Sequence, residues 1–88
     1  MKVVFKTSFI RDLKKIKVQQ TLDQIKIAIE AAEKSQNVID IPGIKQLKGI
    51  GNHYRIRIGS FRIGLAVENE ILYFVRCLPR KDIYKLFP

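Results

Sequence analysis

The spacing of apolar residues divides the chain into a helical first half and an alternating second half. The segment Lys-Val-Val-Phe at residues 2–5 predicts a short strand. Apolar side chains then recur every three or four residues, beginning with Phe9 and Leu13, and predict an amphipathic helix. Thr7 or Ser8 precedes this helix, and either hydroxyl is expected to cap it by accepting a hydrogen bond from a backbone N–H of the first turn.

A second, longer helix is predicted from about Val18 to Lys34. Because Leu22, Ile25 and Ile29 fall on one face, the two helices are expected to form a hairpin that packs its apolar stripes on a flat partner. Residues 35–53 contain one proline, several glycines and turn-forming Asn and Asp side chains that break any regular period. This segment is therefore predicted to be irregular.

Alternation of apolar and other residues begins near the middle of the chain and predicts strands. Residues 54–58 and 61–67 alternate, residues 71–78 are almost entirely apolar, and turn signals separate the three runs. They predict an antiparallel meander whose last strand lies inside a sheet and ends at Pro79. Residues 80–87 are expected to form one helical turn or an ordered tail.

The order of these elements, a strand, two helices and three strands, predicts an α+β fold with the helices on one face of a small twisted sheet. A chain of 88 residues is too short for two ordinary domains, so residues 1–88 are expected to form one. No apolar run approaches the ~20 residues that span a bilayer, and the N-terminal segment lacks the features of a signal peptide. Cys77 is the only cysteine, which excludes a disulfide framework or a multi-cysteine zinc site within the chain. We expect a cytoplasmic protein without metal or cofactor.

Positive charge is the abnormal feature of the composition. Lys and Arg number 17 against 8 Asp and Glu, and the net charge of +9 attracts polyanions. The alternation puts Arg55, Arg57 and Arg62 together on the sheet face opposite the apolar side chains, with Gly64 and Ala66 leaving that face shallow between them. Like charges repel across a strand pair, so the arrangement favours a bound phosphate, which guanidinium groups match with paired hydrogen bonds. The alternatives are generic basicity that aids solubility and a charged strand that protects a sheet edge from aggregation.

Other chemistries find little support in the sequence. The chain has no Walker loop or dinucleotide fingerprint, and its serines have no partners placed for a catalytic triad. His53, in a predicted turn, is the only side chain whose ordinary pKa lies near neutrality. It is therefore a candidate acid–base group, although a histidine at such a position is more often a surface residue. Cys77 is expected to be a small, buried apolar residue.

Over nearly its whole length the chain resembles the RelE/ParE superfamily, the toxins of bacterial type II toxin–antitoxin pairs, and three motifs carry most of this resemblance. They are Leu47-Lys48-Gly49, the sequence YRIRIGSFRIGL at residues 54–65, and RKDIY at residues 80–84. The resemblance implies a helical hairpin packed on a twisted antiparallel sheet. RelE-like members are ribosome-dependent endoribonucleases that cut messenger RNA and inhibit translation, whereas ParE-like members poison DNA gyrase without nuclease activity. A non-catalytic nucleic-acid-binding module is the remaining alternative.

The basic positions of the chain favour the RelE-like branch. The resemblance implies catalytic roles for Arg57, Arg62, Arg80 and Tyr84, and RNA or phosphate contacts for Arg55, Lys45, Lys48 and Lys81. The implied reaction is attack of the RNA 2′-OH on the adjacent phosphorus, without a metal, with arginines stabilising the developing charge. Arg57 stands where nuclease members carry a lysine proposed as general base, and an arginine pKa above about 12 makes it a poor base.

The resemblance also implies partners. A cognate antitoxin is expected to lay a segment along the toxin and to supply acidic groups to its basic surface. The ribosome and messenger RNA are the expected targets, and the toxin–antitoxin pair is expected to bind operator DNA through the antitoxin. No membrane partner is expected.

Overall fold

A computed structural model describes residues 1–48 and 51–88, which form five strands, three helices and one short 3₁₀ turn. The strands are β1 (Lys2–Phe5), β2 (Ile44–Gln46), β3 (His53–Ile58), β4 (Phe61–Glu68) and β5 (Ile71–Pro79). The helices are α1 (Thr7–Lys14), α2 (Gln19–Lys34) and α3 (Arg80–Leu86), and the 3₁₀ turn is Val38–Asp40. The predicted α+β class is confirmed.

The strands form one sheet in the order β1-β5-β4-β3-β2. The predicted meander of β3, β4 and β5 is antiparallel, β1 lies parallel to β5, and β5 is an interior strand that ends at Pro79, as predicted. The prediction that residues 35–53 are irregular is wrong in part, because β2 pairs with β3. Gly43 adopts a φ of +77°, a value that glycine reaches without a side-chain clash, at the turn into β2.

The main core lies between the sheet and the helices α1 and α2. Phe9 of α1 and Ile25 of α2 are almost fully buried against strand residues such as Ile63 and Leu65. These are the positions that the helical and alternating patterns predict to face each other. Ile27, outside the apolar stripe of α2, is exposed.

Helix α1 begins at Thr7 without the predicted side-chain cap. Lys6 occupies the N-cap position, and neither Thr7 nor Ser8 caps the helix. The Ser8 hydroxyl instead donates a hydrogen bond of 2.6 Å to the carbonyl oxygen of Val75 in β5. The prediction of a cap is wrong: β1 ends at Phe5, and the Ser8 hydroxyl pairs with a carbonyl of β5 beyond that end.

A buried carboxylate of α1 also pairs with a backbone group along this edge of β5. Asp12, 4% exposed, accepts a 2.9 Å hydrogen bond from the backbone N–H of Cys77. It also accepts bonds of 2.8 and 3.2 Å from Nε and Nη2 of Arg76, which raise the pKa of that guanidinium. Side chains of α1 thus satisfy the strand edge where β1 no longer does.

The tail forms a complete short helix, α3, that packs on β4 and β5. Ile83 and Phe87 are buried, yet neither belongs to the main core cluster. The Phe87 ring lies against Gly64, which alternates with the core-facing Ile63 and Leu65. The tail therefore covers the sheet face opposite α1 and α2, which is the face that carries the strand arginines.

Candidate functional site

The register of β3 and β4 brings the strand arginines together on one face, as the alternation predicts. Arg57 and Arg62 are direct cross-strand partners, and Arg55 lies opposite Gly64. Lys45 of β2 is the partner of Arg55 on its other side. Direct cross-strand neighbours have Cβ atoms about 5 Å apart, so the two like-charged side chains of the Arg57–Arg62 pair begin close together.

Arg62 is unusual because it is a charged side chain that is only 4% exposed. Its Nη1 donates hydrogen bonds of 2.7 Å to the carbonyl oxygen of Gly59 and 2.8 Å to that of Phe61, which hold the guanidinium beside the β3–β4 turn. Within the described residues, its buried Nε has no hydrogen-bond partner. A buried charged group with an unpaired donor carries a free-energy cost, and a ligand oxygen bonded to that donor would remove it.

The electrostatic surroundings of Arg62 are positive. Burial lowers its pKa, and the positive charges of Arg57, Arg55 and Arg80 lower it further, whereas Tyr84 acts in the opposite direction. No carboxylate is among the charges that shift this pKa. The positive surroundings of Arg62 favour a ligand that brings negative charge, and a phosphate group supplies it.

Helix α3 brings the RKDIY motif to this cluster. The backbone N–H of Arg80 donates a 2.8 Å hydrogen bond to the carbonyl oxygen of Ser60 in the β3–β4 turn. Tyr84, one turn further along, is 62% exposed and lies near enough to Arg62 to influence its pKa. Lys81 is exposed at the start of the helix. The fold thus assembles four residues with predicted catalytic roles: Arg57, Arg62, Arg80 and Tyr84.

The centre of the arginine face is not the shallow surface that Gly64 and Ala66 predict. The Phe87 ring covers Gly64, and the His53 and Phe87 rings form a T-shaped pair with centroids 5.5 Å apart and an angle of 71° between the planes. His53 is the first residue of β3 and half-buried, so its placement in a surface turn is wrong. The alternation could not place Phe87 because the position of the tail is a tertiary feature.

The remaining basic positions lie around the strands. Lys45 is exposed on β2, and Lys48 is exposed in the turn that follows it. Gly49, the third residue of the Leu47-Lys48-Gly49 motif, lies outside the described residues. The family resemblance implied an RNA or phosphate contact for Lys45, and the strand register adds that Lys45 neighbours Arg55.

Cys77 is a buried core residue, as predicted. It is 2% exposed, and burial, assisted by the charge of Asp12, raises the pKa of its thiol to about 12. In residues 1–48 and 51–88, no group of three or more His, Cys, Asp or Glu side chains could hold a metal ion. In the same residues, none of the helices has both the length and the apolar character needed to cross a bilayer.

Comparison with known proteins identifies close relatives, although no family model matches the chain. Toxin RelE3 of Methanocaldococcus jannaschii is 42% identical over 89 aligned residues, which cover 100% of both proteins. A RelB–RelE antitoxin–toxin complex from Methanococcus jannaschii contains a chain that is 37% identical, with a TM-score of 0.80 and coverage of 97% of this chain and 99% of that one. An archaeal RelE–RelB complex from Pyrococcus horikoshii has the same fold at 17% identity, with a TM-score of 0.71 over 90% of this chain and 93% of the other.

The fold, shared over almost the whole chain, is that of the RelE-like toxins. The identity and full-length coverage show that the chain belongs to the RelE family, the toxins of RelBE-type toxin–antitoxin systems.

Proposed function

We propose that this toxin is a ribosome-dependent endoribonuclease that cuts messenger RNA in the cytoplasm at the cluster of Arg55, Arg57, Arg62, Arg80 and Tyr84. The observation that carries the proposal is the buried Arg62, whose Nε has no partner in the described residues and whose charged neighbours include three further arginines. A phosphate diester is the ligand class that pairs with such a group, because its oxygens accept hydrogen bonds from several guanidinium donors at once. Membership of the RelE family favours RNA over the ParE-like alternative, DNA gyrase.

The reaction uses the nucleophile of the RNA itself. The 2′-oxygen forms a bond to the adjacent phosphorus while the bond from phosphorus to the 5′-oxygen breaks. The 2′-OH loses its proton and the departing 5′-oxygen gains one, which leaves a 2′,3′-cyclic phosphate and a 5′-OH. The extra negative charge on the phosphate oxygens peaks in the transition state, so fixed positive groups lower the barrier.

Each side chain of the cluster has a role in this proposal. Arg62, held by the carbonyl groups of Gly59 and Phe61, presents a fixed donor to the scissile phosphate. Arg57 shares the developing negative charge as its cross-strand neighbour. Arg80 neutralises charge at the leaving oxygen, and the exposed Tyr84 ring stacks on a base.

Proton transfer requires a group other than the arginines. An arginine is a poor base at neutral pH, which rules Arg57 out of the role that a lysine holds in nuclease relatives. His53 lies on the same face as Arg55, two positions away on β3, and is the candidate acid–base group. The flanking phosphates of the RNA are held by Arg55 and its neighbour Lys45, and by the exposed Lys48 and Lys81.

The same positive surface accounts for an inhibitory partner. A cognate antitoxin is proposed to lie against the toxin and to neutralise its basic face, as relatives in this family occur in complexes named for RelB and RelE. Binding of the pair to operator DNA is proposed to occur through the antitoxin.

The nuclease proposal is tested with Arg62→Gln, which removes the buried charge. We expect induction of the wild-type toxin to arrest growth and to produce cuts within translated codons, detected by primer extension. In a reconstituted ribosome assay, Arg62→Gln is expected to lower the cleavage rate by about a hundredfold or more, the usual cost of losing a charge-stabilising donor.

The matched control is Arg11→Gln, which removes the same charged group from an exposed position on α1. It is expected to keep cleavage within about threefold of wild type, since changes at exposed sites have small effects. Intact messages in arrested cells, together with DNA breaks that depend on gyrase, would contradict the proposal and favour a gyrase poison. Normal growth combined with salt-sensitive RNA binding would favour a non-catalytic module.

A further inference from the structure

Helix α3 depends on tertiary contacts for its position. It has seven residues and no side-chain cap, and isolated helices shorter than about 12 residues are marginal in water. Its start is fixed by the hydrogen bond from the Arg80 N–H to Ser60, and its middle by the buried Ile83. Its end is fixed by Phe87, which is 6% exposed and whose N–H donates a 2.9 Å hydrogen bond to the Ile83 carbonyl.

The residue beneath Phe87 is a glycine for a steric reason. A Cβ atom at position 64 would lie 2.7 to 2.8 Å from three atoms of the Phe87 ring, well inside van der Waals contact. Gly64 is not among the glycines with positive φ, so its backbone conformation is open to other residues. A glycine inside a strand loses side-chain packing and costs conformational entropy, and it often marks a close approach by another group. The close approach here is that of the Phe87 ring.

His53 completes the seat of this ring. Its partner across β3 and β4 is Ala66, two positions along β4 from Gly64, and its ring packs against Phe87 in a T-shaped pair. Gly64 therefore forms the floor and His53 one wall of a site that accepts a flat aromatic side chain. This contact joins the only histidine of the chain to the end of the helix that carries Arg80 and Tyr84.

We propose that Gly64 and Phe87 are positioning residues of the active centre, which seat the end of α3 on the sheet and thereby fix Tyr84 and Arg80 beside Arg62. The proposal rests on the nuclease function. Phe87 follows Tyr84 by three residues, so a displacement of its ring moves the turn of helix that bears Tyr84. Because Phe87 is buried against the toxin's own sheet, its role differs from that of the exposed Tyr84, which is free to contact RNA.

The test is Gly64→Ala, which places a methyl group where the Phe87 ring lies. We expect amide hydrogen exchange at Phe87, measured by NMR, to accelerate about tenfold or more as the end of α3 leaves the sheet. In the ribosome assay, kcat is expected to fall about tenfold or more while KM changes less than about threefold, because misplaced groups act mainly on the transition state.

A second substitution separates positioning from general damage. Phe87→Leu in the Gly64→Ala background reduces the volume above the new methyl group and is expected to restore at least about half of both losses, a non-additive result typical of residues in contact. Leu86→Ala is the matched control, since Leu86 neighbours Phe87 but is 54% exposed. It is expected to leave the exchange rate and kcat within about twofold of wild type.

The two readouts have separate meanings. The positioning proposal would be overturned if the Phe87 amide of Gly64→Ala exchanged as slowly as that of the wild type. It would also be overturned if exchange accelerated while kcat stayed unchanged. Failure of the double variant to recover either quantity would also count against it. The exchange measurement needs no RNA, so it tests the contact between Phe87 and Gly64 independently of catalysis. A wild-type chain that protects the Phe87 amide but cleaves no message would contradict the nuclease function. The contact between Phe87 and Gly64 would then be tested by amide exchange alone.

Discussion

Two buried ionisable residues, Arg62 and Cys77, illustrate how the same physical condition has different consequences. Burial raises the pKa of the Cys77 thiol and keeps it protonated and neutral at physiological pH. Burial also lowers the pKa of Arg62, but an arginine starts so far above neutrality that it stays charged. The thiol is therefore an inert packing group, whereas the guanidinium retains a charge that an anion can satisfy.

The raised thiol pKa predicts a loss of stability at alkaline pH. The Cys77 pKa is about 12 in the folded chain against an ordinary value of 9.0, so the unfolded state loses its proton first as the pH rises. Stability from this group is complete below about pH 9 and falls through pH 12, with a loss on the order of 1 kcal/mol by pH 10. Urea unfolding across this range measures the loss. In Cys77→Ala this part of the pH dependence should vanish, and an identical slope in both proteins would disprove it.

Helix α1 serves the sheet as well as the core. Its Ser8 and Asp12 side chains satisfy backbone groups of β5 beyond the end of β1, and Arg76 neutralises the carboxylate. Asp12 is thus the link between a helix and the strand that leads into α3. Loss of the Asp12 contacts is expected to destabilise the packing of α1 on β5. Because β5 ends at Pro79, directly before α3, the effect is expected to reach the start of α3.

Asp12→Ala is expected to lower the free energy of unfolding by about 3 kcal/mol, because it leaves the Cys77 N–H and the partly buried Arg76 without their partner. Chemical denaturation measures this difference. Asp12→Asn keeps an acceptor oxygen and should cost less, and Asp23→Ala, at an exposed position, should change stability by less than about 0.5 kcal/mol. An Asp12→Ala variant as stable as wild type would refute the proposed role of α1.

At the scale of the whole molecule, the fold concentrates part of the chain's positive charge on one face. The arginines of β3, β4 and α3 converge on one face, whereas the basic residues of α1 and α2 lie on helices that pack on the other. If the positive charge acts only in a general way, all of the cations should contribute similarly to RNA binding. If there is a localised phosphate site, the arginines of this face should contribute more than the basic residues of α1 and α2.

Salt dependence of RNA binding distinguishes these contributions. For a single-stranded RNA, each phosphate neutralised contributes about −0.7 to the slope of log affinity against log salt concentration. Fluorescence anisotropy over a salt series should show that Arg57→Gln reduces the magnitude of the slope by about that amount, whereas Arg11→Gln leaves it unchanged. Equal effects of the two substitutions would indicate that the charge acts only in a general way.

The sequence by itself determined the main helices and strands, although not β2, and the face on which the arginines lie. Period-two alternation fixes Arg55, Arg57 and Arg62 opposite the core residues of β3 and β4, because successive side chains of a strand point to opposite faces. Helical spacing likewise fixed Phe9 and Ile25 in the core. These inferences succeed because they need only local geometry and the preference of apolar side chains for the interior.

Only the tertiary structure decided how the site is closed. The pairing of β1 with β5 ends at Phe5, and the Ser8 hydroxyl donates to a β5 carbonyl instead of capping α1, a tertiary contact that no local pattern reveals. The seating of Phe87 on Gly64 depends on where α3 lies over the sheet. The position of a seven-residue helix is set by contacts with residues distant in sequence, since a helix this short has little stability of its own.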